Sequence, residues 1–247
     1  SPVDIATNLF KYFCLGTGPF STGYVMATAF ADAPGQPKTE PARIQLHFVP
    51  IVAHDGEQVV RNLGIDWRKH CARVDPTSFP AKGVLFLPSL LSPKSEGFIE
   101  LASADPSKLP LIEPNYLAEE QDVDALVEAY KMCDRIAKSK AFSGILDPNP
   151  PVVDATIPHP YGTTEHFRAR ALRDIITIYH PTSTCRVSND PSDGVVDPAL
   201  RVWGVRGLRC GDVSVCRYIP AGNTNLPAIM IGERVADFAL LDFKQGV

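Results

Sequence analysis

The sequence lacks a dinucleotide-binding turn. A Gly-x-Gly-x-x-Gly run between a strand and a helix lets a pyrophosphate reach backbone N–H groups, and the 17 glycines form none. Gly16-Thr17-Gly18 is followed by Pro19, with Gly23 too late, and Gly204-Val205-Arg206-Gly207 reads as a turn. Apolar runs of about 18 residues, the length that suggests a bilayer span, are missing too. The six cysteines (14, 71, 133, 185, 210 and 216) contain no CxxC pair. That spacing argues against zinc and makes most of them small buried hydrophobes. A disulfide between Cys210 and Cys216, which flank one strand candidate, stays open. Charge of one sign is not in excess. The 24 Lys and Arg against 28 Asp and Glu leave −4, which gives no reason to expect nucleic acid or an anionic membrane as partner. There is no internal repeat or low-complexity tract. The chain opens Ser1-Pro2-Val3 without an initiator Met or an apolar signal segment, and is read as a fragment or processed subunit.

What is present suits a globular chain. With 247 residues, 45% of them apolar, it can bury one large core or two modest ones. The 23 prolines break it into short elements and disfavour a helical bundle. Residues 5–15 predict a short helix ended by Gly16-Thr17-Gly18-Pro19. Arg43 to Val52 predicts a strand, with Pro50 suggesting an edge or bulge. Gly83 to Leu91 and Gly97 to Ser103 are further strands. Asp122 to Ser139 places Val123, Leu126, Val127, Tyr130 and Cys133 or Ile136 at helical spacing. Glu119, Glu120, Asp122 and Asp124 then read as its solvated first turn rather than as a catalytic pair. Asn149-Pro150-Pro151 and His159-Pro160-Tyr161-Gly162 are loop signals, and Thr163 to Thr177 is another helix. Leu200–Trp203 and Leu208–Cys210 bracket a hairpin turn, and Asn225 to Leu241 is the final helix, with cap candidates at 223–225 and Pro227 tolerated in its first turn. The mixture without βαβ regularity favours an α+β antiparallel sheet with helices on one side.

Two runs carry chemistry. Ile178-Tyr179-His180-Pro181-Thr182-Ser183-Thr184-Cys185 offers an imidazole in a polar stretch. Asn223-Thr224-Asn225-Leu226-Pro227 offers a side-chain amide at the head of a helix. Together they could supply a proton acceptor and an orienting group. The plainer readings are a structural histidine and a helix cap. Tyr179 could wall a pocket or fill a core. His47, His54, His70, His159 and His166 match no ligand spacing and are read as structural or surface residues.

These runs resemble the C-terminal half of a glucose–methanol–choline family FAD-dependent oxidoreductase. His180 stands in the family's His-Pro-x-Gly-Thr-Cys-type run, Asn223 takes the place of its later His or Asn, and Glu233-Arg234-Val235-Ala236-Asp237 completes the pattern. Ser92 to Leu101, Asp105-Pro106, Pro114 to Leu117 and Gly16 to Phe20 are similar to earlier family stretches. Ser183 departs from the family's glycine and Glu96 from its arginine, which bears on substrate class.

The resemblance implies FAD as cofactor and oxidation of a small-molecule alcohol. His180 would be the general base, Asn223 would orient the substrate oxygen, and hydride would pass to flavin N5. It implies Gly211, Asp212, Thr224, Asn225 and Leu226 as flavin neighbours and Tyr179 as a pocket wall. It further implies a substrate-binding domain in most of 1–175. Residues 176–247 would carry the active site and complete a Rossmann-like FAD domain, whose phosphate-binding N-terminal part would be a partner polypeptide. A flavin-containing hydroxynitrile lyase and a non-catalytic binding or assembly fragment are the alternatives.

Overall fold

The computed structural model describes residues 2–21, 25–52, 82–146 and 157–245. It is α+β, with a three-stranded sheet, a two-stranded antiparallel pair and four α-helices among these residues. The chain divides into two compact units. One contains residues 1–34, 44–89 and 126–176, the other 35–43, 90–125 and 177–247. The predicted loop Asn149-Pro150-Pro151, together with His54, His70 and Cys71, lies outside the described residues.

The first unit holds helix α1 (Pro2–Leu15) and a three-stranded sheet in the order β1 (Ala27–Ala31), β2 (Ile44–Val52), β3 (Lys82–Leu90). Strands β1 and β2 are antiparallel, from Ala27 opposite Phe48 to Ala31 opposite Ile44. Pro50 therefore marks no edge, because β2 is the central strand. Its missing N–H is harmless towards β1, whose registered pairing stops at Phe48. Ile44, Leu46 and Val49 are buried, and Phe48, Phe86 and Phe142 cluster at centroid separations of 5.4–6.2 Å. His47 is partly buried, and its desolvation lowers the imidazole pKa.

Helix α2 (Glu120–Ala137) buries Val123, Leu126, Val127 and Cys133, the helical spacing expected of an amphipathic stripe. Tyr130 lies parallel to Phe167 of α3 (Thr164–Asp174), with ring centroids 6.1 Å apart. Helix α3 begins with a Thr163 cap that accepts from the His166 N–H at 3.2 Å. His166 is buried against Tyr161 and Phe167, with Nδ1 3.2 Å from the His159 carbonyl. Burial, then the hydrogen bond from its hydroxyl to Asp134, push Tyr161 up to about 12.

The second unit contains the short pair β4 (Phe98–Glu100) and β5 (Leu111–Glu113), shorter than the predicted strand from 97 to 103. Its core is Val196, Leu200, Val215 and Ile231, packed by Val187, Val202, Cys210, Val213, Val235 and Phe238. The hairpin around Gly204 and Gly207 forms through Val202 N–H to Leu208 O (2.9 Å) and Cys210 N–H to Leu200 O (3.1 Å). Helix α4 (Asn225–Gln245) lays Ile231, Val235 and Phe238 on this core at i, i+4 and i+7.

Asp122 corrects the expectation of a solvated acidic turn. It is fully buried, whereas Glu119, Glu120 and Asp124 are exposed. Its carboxylate accepts from Arg43 Nη2 (2.9 Å), the Lys94 N–H (2.9 Å), the Ser95 N–H (2.8 Å) and the Ser95 hydroxyl (2.6 Å). A buried carboxylate needs such a set, since an unpaired one is strongly unfavourable. Asp122→Ala leaves Arg43 and two backbone donors without their acceptor. A loss of about 3–5 kcal/mol in denaturant unfolding is expected. Asp124→Ala, exposed one residue pair further along, should stay within about 0.5 kcal/mol; equal effects of the two would refute the buried role of Asp122.

Candidate active site

All the residues of the site belong to the second unit. After α3 the chain runs through an irregular segment in which Tyr179 has φ of 62° and Ser183 φ of 75°. These left-handed conformations bracket His180 and are uncommon for residues with a Cβ. The serine at 183 thus occupies a backbone for which glycine is the natural choice. The Tyr179 N–H donates to Thr177 Oγ1 at 3.0 Å, and its ring is exposed.

The other side of the site is the head of α4. The Ala228 N–H closes the first helical bond on the Thr224 carbonyl at 2.9 Å, which makes Thr224 the capping residue. Asn223 and Thr224 both reach His180. Asn223 Nδ2 lies 3.1 Å from His180 Nε2, and Thr224 Oγ1 lies 2.9 Å from His180 Nδ1. Residues more than 40 positions apart in sequence thus meet as the two runs suggested. Asn223 is exposed and His180 half-buried, so the imidazole edge is open to a small molecule.

A neutral imidazole can accept a proton through its unprotonated ring nitrogen. The positive end of the helix macrodipole, concentrated at the first-turn N–H groups, favours negative charge beside it. The N–H groups of Asn225 and Leu226 precede the first helical bond, and both side chains are exposed.

Gly211 and Asp212 lie elsewhere along the same unit. A Cβ on Gly211 would sit 2.7 Å from Val235 Cγ1, so the glycine lets its loop approach α4. Asp212 caps a 3-10 turn at Val213–Val215 by accepting the Ser214 N–H at 2.7 Å. Its hydrogen bonds to Ser214, the side-chain one first, hold its carboxyl below the ordinary carboxylate range. Cys210 and Cys216 are both free thiols, which removes the disulfide left open between them. Burial, then neighbouring Cys185, push the Cys210 thiol up.

The Thr224–His180 bond is the contact that the sequence does not announce, since Thr224 reads there as a cap candidate and a cofactor neighbour. A signal existed in the order Thr-Asn-Leu-Pro, because a proline three residues after a threonine cap removes an N–H that the cap would bind. Among the described residues, no cluster of His, Cys, Asp and Glu could hold a metal, and no helix is long and apolar enough to cross a membrane.

Comparison with known proteins adds a lineage to this geometry. Residues 93–232 match the family model of the GMC oxidoreductases. The chain is 33% identical over 230 residues to a glucose dehydrogenase [FAD, quinone] of Drosophila melanogaster, covering 90% of this chain and 33% of the relative. It is also 33% identical over 234 residues to an alcohol dehydrogenase [acceptor] of Pseudomonas putida, covering 93% and 37%. The chain spans about a third of the length of these relatives. In fold it resembles formate oxidase of Aspergillus oryzae, with a TM-score of 0.73 at 22% identity over 98% of this chain and 42% of the other. The chain belongs to the GMC oxidoreductase family, a family of FAD-dependent enzymes, and corresponds to its C-terminal part.

Two substitutions test the local account of the site. Ser183→Gly should raise unfolding stability by roughly 0.5–1 kcal/mol, because relief of the left-handed conformation outweighs glycine's chain entropy. Gly211→Ala should lower it by about 1–3 kcal/mol through overpacking against Val235. Denaturant titration reads both; a neutral Gly211→Ala would show that the loop and helix need no close approach there.

Proposed function

We propose that this chain supplies the catalytic base and the substrate-orienting group of an FAD-dependent alcohol oxidase or dehydrogenase. The observation that carries the reading is the imidazole of His180 held between Asn223 and Thr224 at the start of α4. The relatives named for glucose and for an alcohol act on molecules with a CH–OH group, which is the chemistry such a base serves.

FAD fits the residues present. Asn225 and Leu226 leave the first-turn N–H groups of a 21-residue helix in an exposed setting that favours an electron-rich ring. Gly211 and Asp212 would approach its ribityl side, and Thr224, Asn225 and Leu226 its ring. When bound, FAD supplies the acceptor for the hydride leaving the alcohol carbon.

The chain's own part is proton handling and orientation. His180 takes the hydroxyl proton, so that the carbon–hydrogen bond breaks from an alkoxide-like oxygen. Asn223 cannot take a proton, but its amide hydrogen-bonds the substrate oxygen and fixes its approach. Tyr179, exposed beside His180, would line the entrance.

Residues 1–175 would serve mostly as substrate-binding domain, and 176–247 as the active-site segment that rejoins a Rossmann-like FAD domain. The FAD-phosphate-binding part would come from an N-terminal polypeptide of the same enzyme. Leu226, Ile229 and Met230 form an exposed apolar strip on α4 that suits such coverage.

His180→Ala in the flavin-loaded protein should slow flavin reduction by an alcohol about 10²–10⁴-fold and leave the flavin bound. Stopped-flow absorbance under anaerobic conditions reads this. Unchanged reduction in that variant would remove His180 from the mechanism. Cleavage of mandelonitrile without flavin reduction would replace oxidation by the lyase reading.

A further inference from the structure

We propose that Thr224 is a positioning residue that fixes the tautomer of His180, keeping the proton on Nδ1 and the lone pair on Nε2. The inference rests on His180 being the base, and deepens that reading by naming the atom that accepts the proton and the group that keeps it available.

The argument starts from the partner on the other nitrogen. Nδ2 of Asn223 carries only hydrogens, so His180 Nε2, 3.1 Å away, must accept. A neutral imidazole has a single N–H, which is then on Nδ1. Thr224 Oγ1, 2.9 Å from Nδ1, is the acceptor for it. Histidine free in water favours the opposite tautomer, with the proton on Nε2, so these contacts reverse an intrinsic preference. The hydrogen bond made by one ring nitrogen sets which of the two carries the proton.

The helix start explains why the threonine hydroxyl is available. A capping threonine ordinarily accepts the N–H of the second or third helical residue. With Thr224 as the cap, Asn225 and Leu226 are the first two helical residues and Pro227 the third. Proline has no N–H. One of the two usual partners is absent by composition, and the hydroxyl turns to the imidazole. Because Asn223 and Thr224 are consecutive, both ring nitrogens are held from one short piece of backbone. A half-turn of the ring would set carbon atoms against both partners, so the orientation is fixed along with the tautomer.

The test is nitrogen-15 NMR of histidine-labelled, flavin-loaded full-length protein, at a pH where His180 is neutral. The His180 signals are identified by their loss in His180→Ala. The wild type should show a protonated-type Nδ1 and an unprotonated-type Nε2. Thr224→Ser should keep that pattern. Thr224→Val, of the same shape without the hydroxyl, should lose it and slow flavin reduction about 10- to 100-fold at unchanged KM. A wild-type His180 with its proton on Nε2 overturns the proposal without any variant having to fold. Wild-type behaviour of Thr224→Val in both spectrum and rate overturns it as well. If His180→Ala reduces flavin normally while the tautomer is as described, it is the function that fails and the positioning contact that stands.

Discussion

The buried carboxylate of Asp122 is the constraint around which the second unit is organised. It gathers Arg43, the backbone of Lys94 and Ser95 and the Ser95 hydroxyl, drawn from two stretches of chain remote from its own. Arg43 also donates through Nη2 to the Ser92 carbonyl at 3.0 Å. A buried ion pair seldom adds much net stability, because desolvation offsets attraction, but its loss leaves a charge stranded. Its effect is specificity of arrangement. Only one placement of the 92–95 loop against the first turn of α2 satisfies every donor at once.

The site in the same unit follows a similar logic on a smaller scale. An imidazole is set by two consecutive side chains, and the loop that presents it accepts two left-handed residues to do so. Strain of this kind persists where surrounding contacts over-determine the backbone. Here the determinants are backbone bonds just after the loop, such as Cys185 N–H to Ser214 O at 2.9 Å and Val187 N–H to Val215 O at 3.0 Å. They tie the segment after His180 to the 3-10 turn and to the core that also receives α4. The imidazole of His180 and the helix that faces it are therefore referenced to one packed cluster.

Much of this was legible locally, and the exceptions share a cause. The stripe of Val123, Leu126, Val127 and Cys133 declares α2 because its periodicity lies within one helix. The hairpin around Gly204 and Gly207 declares itself by turn chemistry. Asp122 was misread as solvated because nothing within its own helix distinguishes it from Asp124; its partners lie 27, 28 and 79 residues away. Pro50 suggested an edge because composition does not say how far a neighbouring strand extends. Strand β5 was missed because three residues are too short for alternation to register. His180 and Asn223 were paired through family resemblance, whereas the Thr224 contact needed coordinates, since a threonine at a helix start has an ordinary role that conceals the other.

The span of the Arg43–Asp122 pair also bears on how the protein is made. During synthesis Arg43 emerges 79 residues ahead of the carboxylate that receives it. At translation rates of about 5–20 residues per second, that interval is several seconds. Through it the arginine's buried place does not exist, and the segment from 35 to 43 has no fixed berth. Closing so large a loop is entropically unfavourable until other contacts shorten it. The second unit, which takes its pieces from residues 35–43, 90–125 and 177–247, is thus completed only after its last helix has been translated. Its order of birth and its order of folding run in different directions.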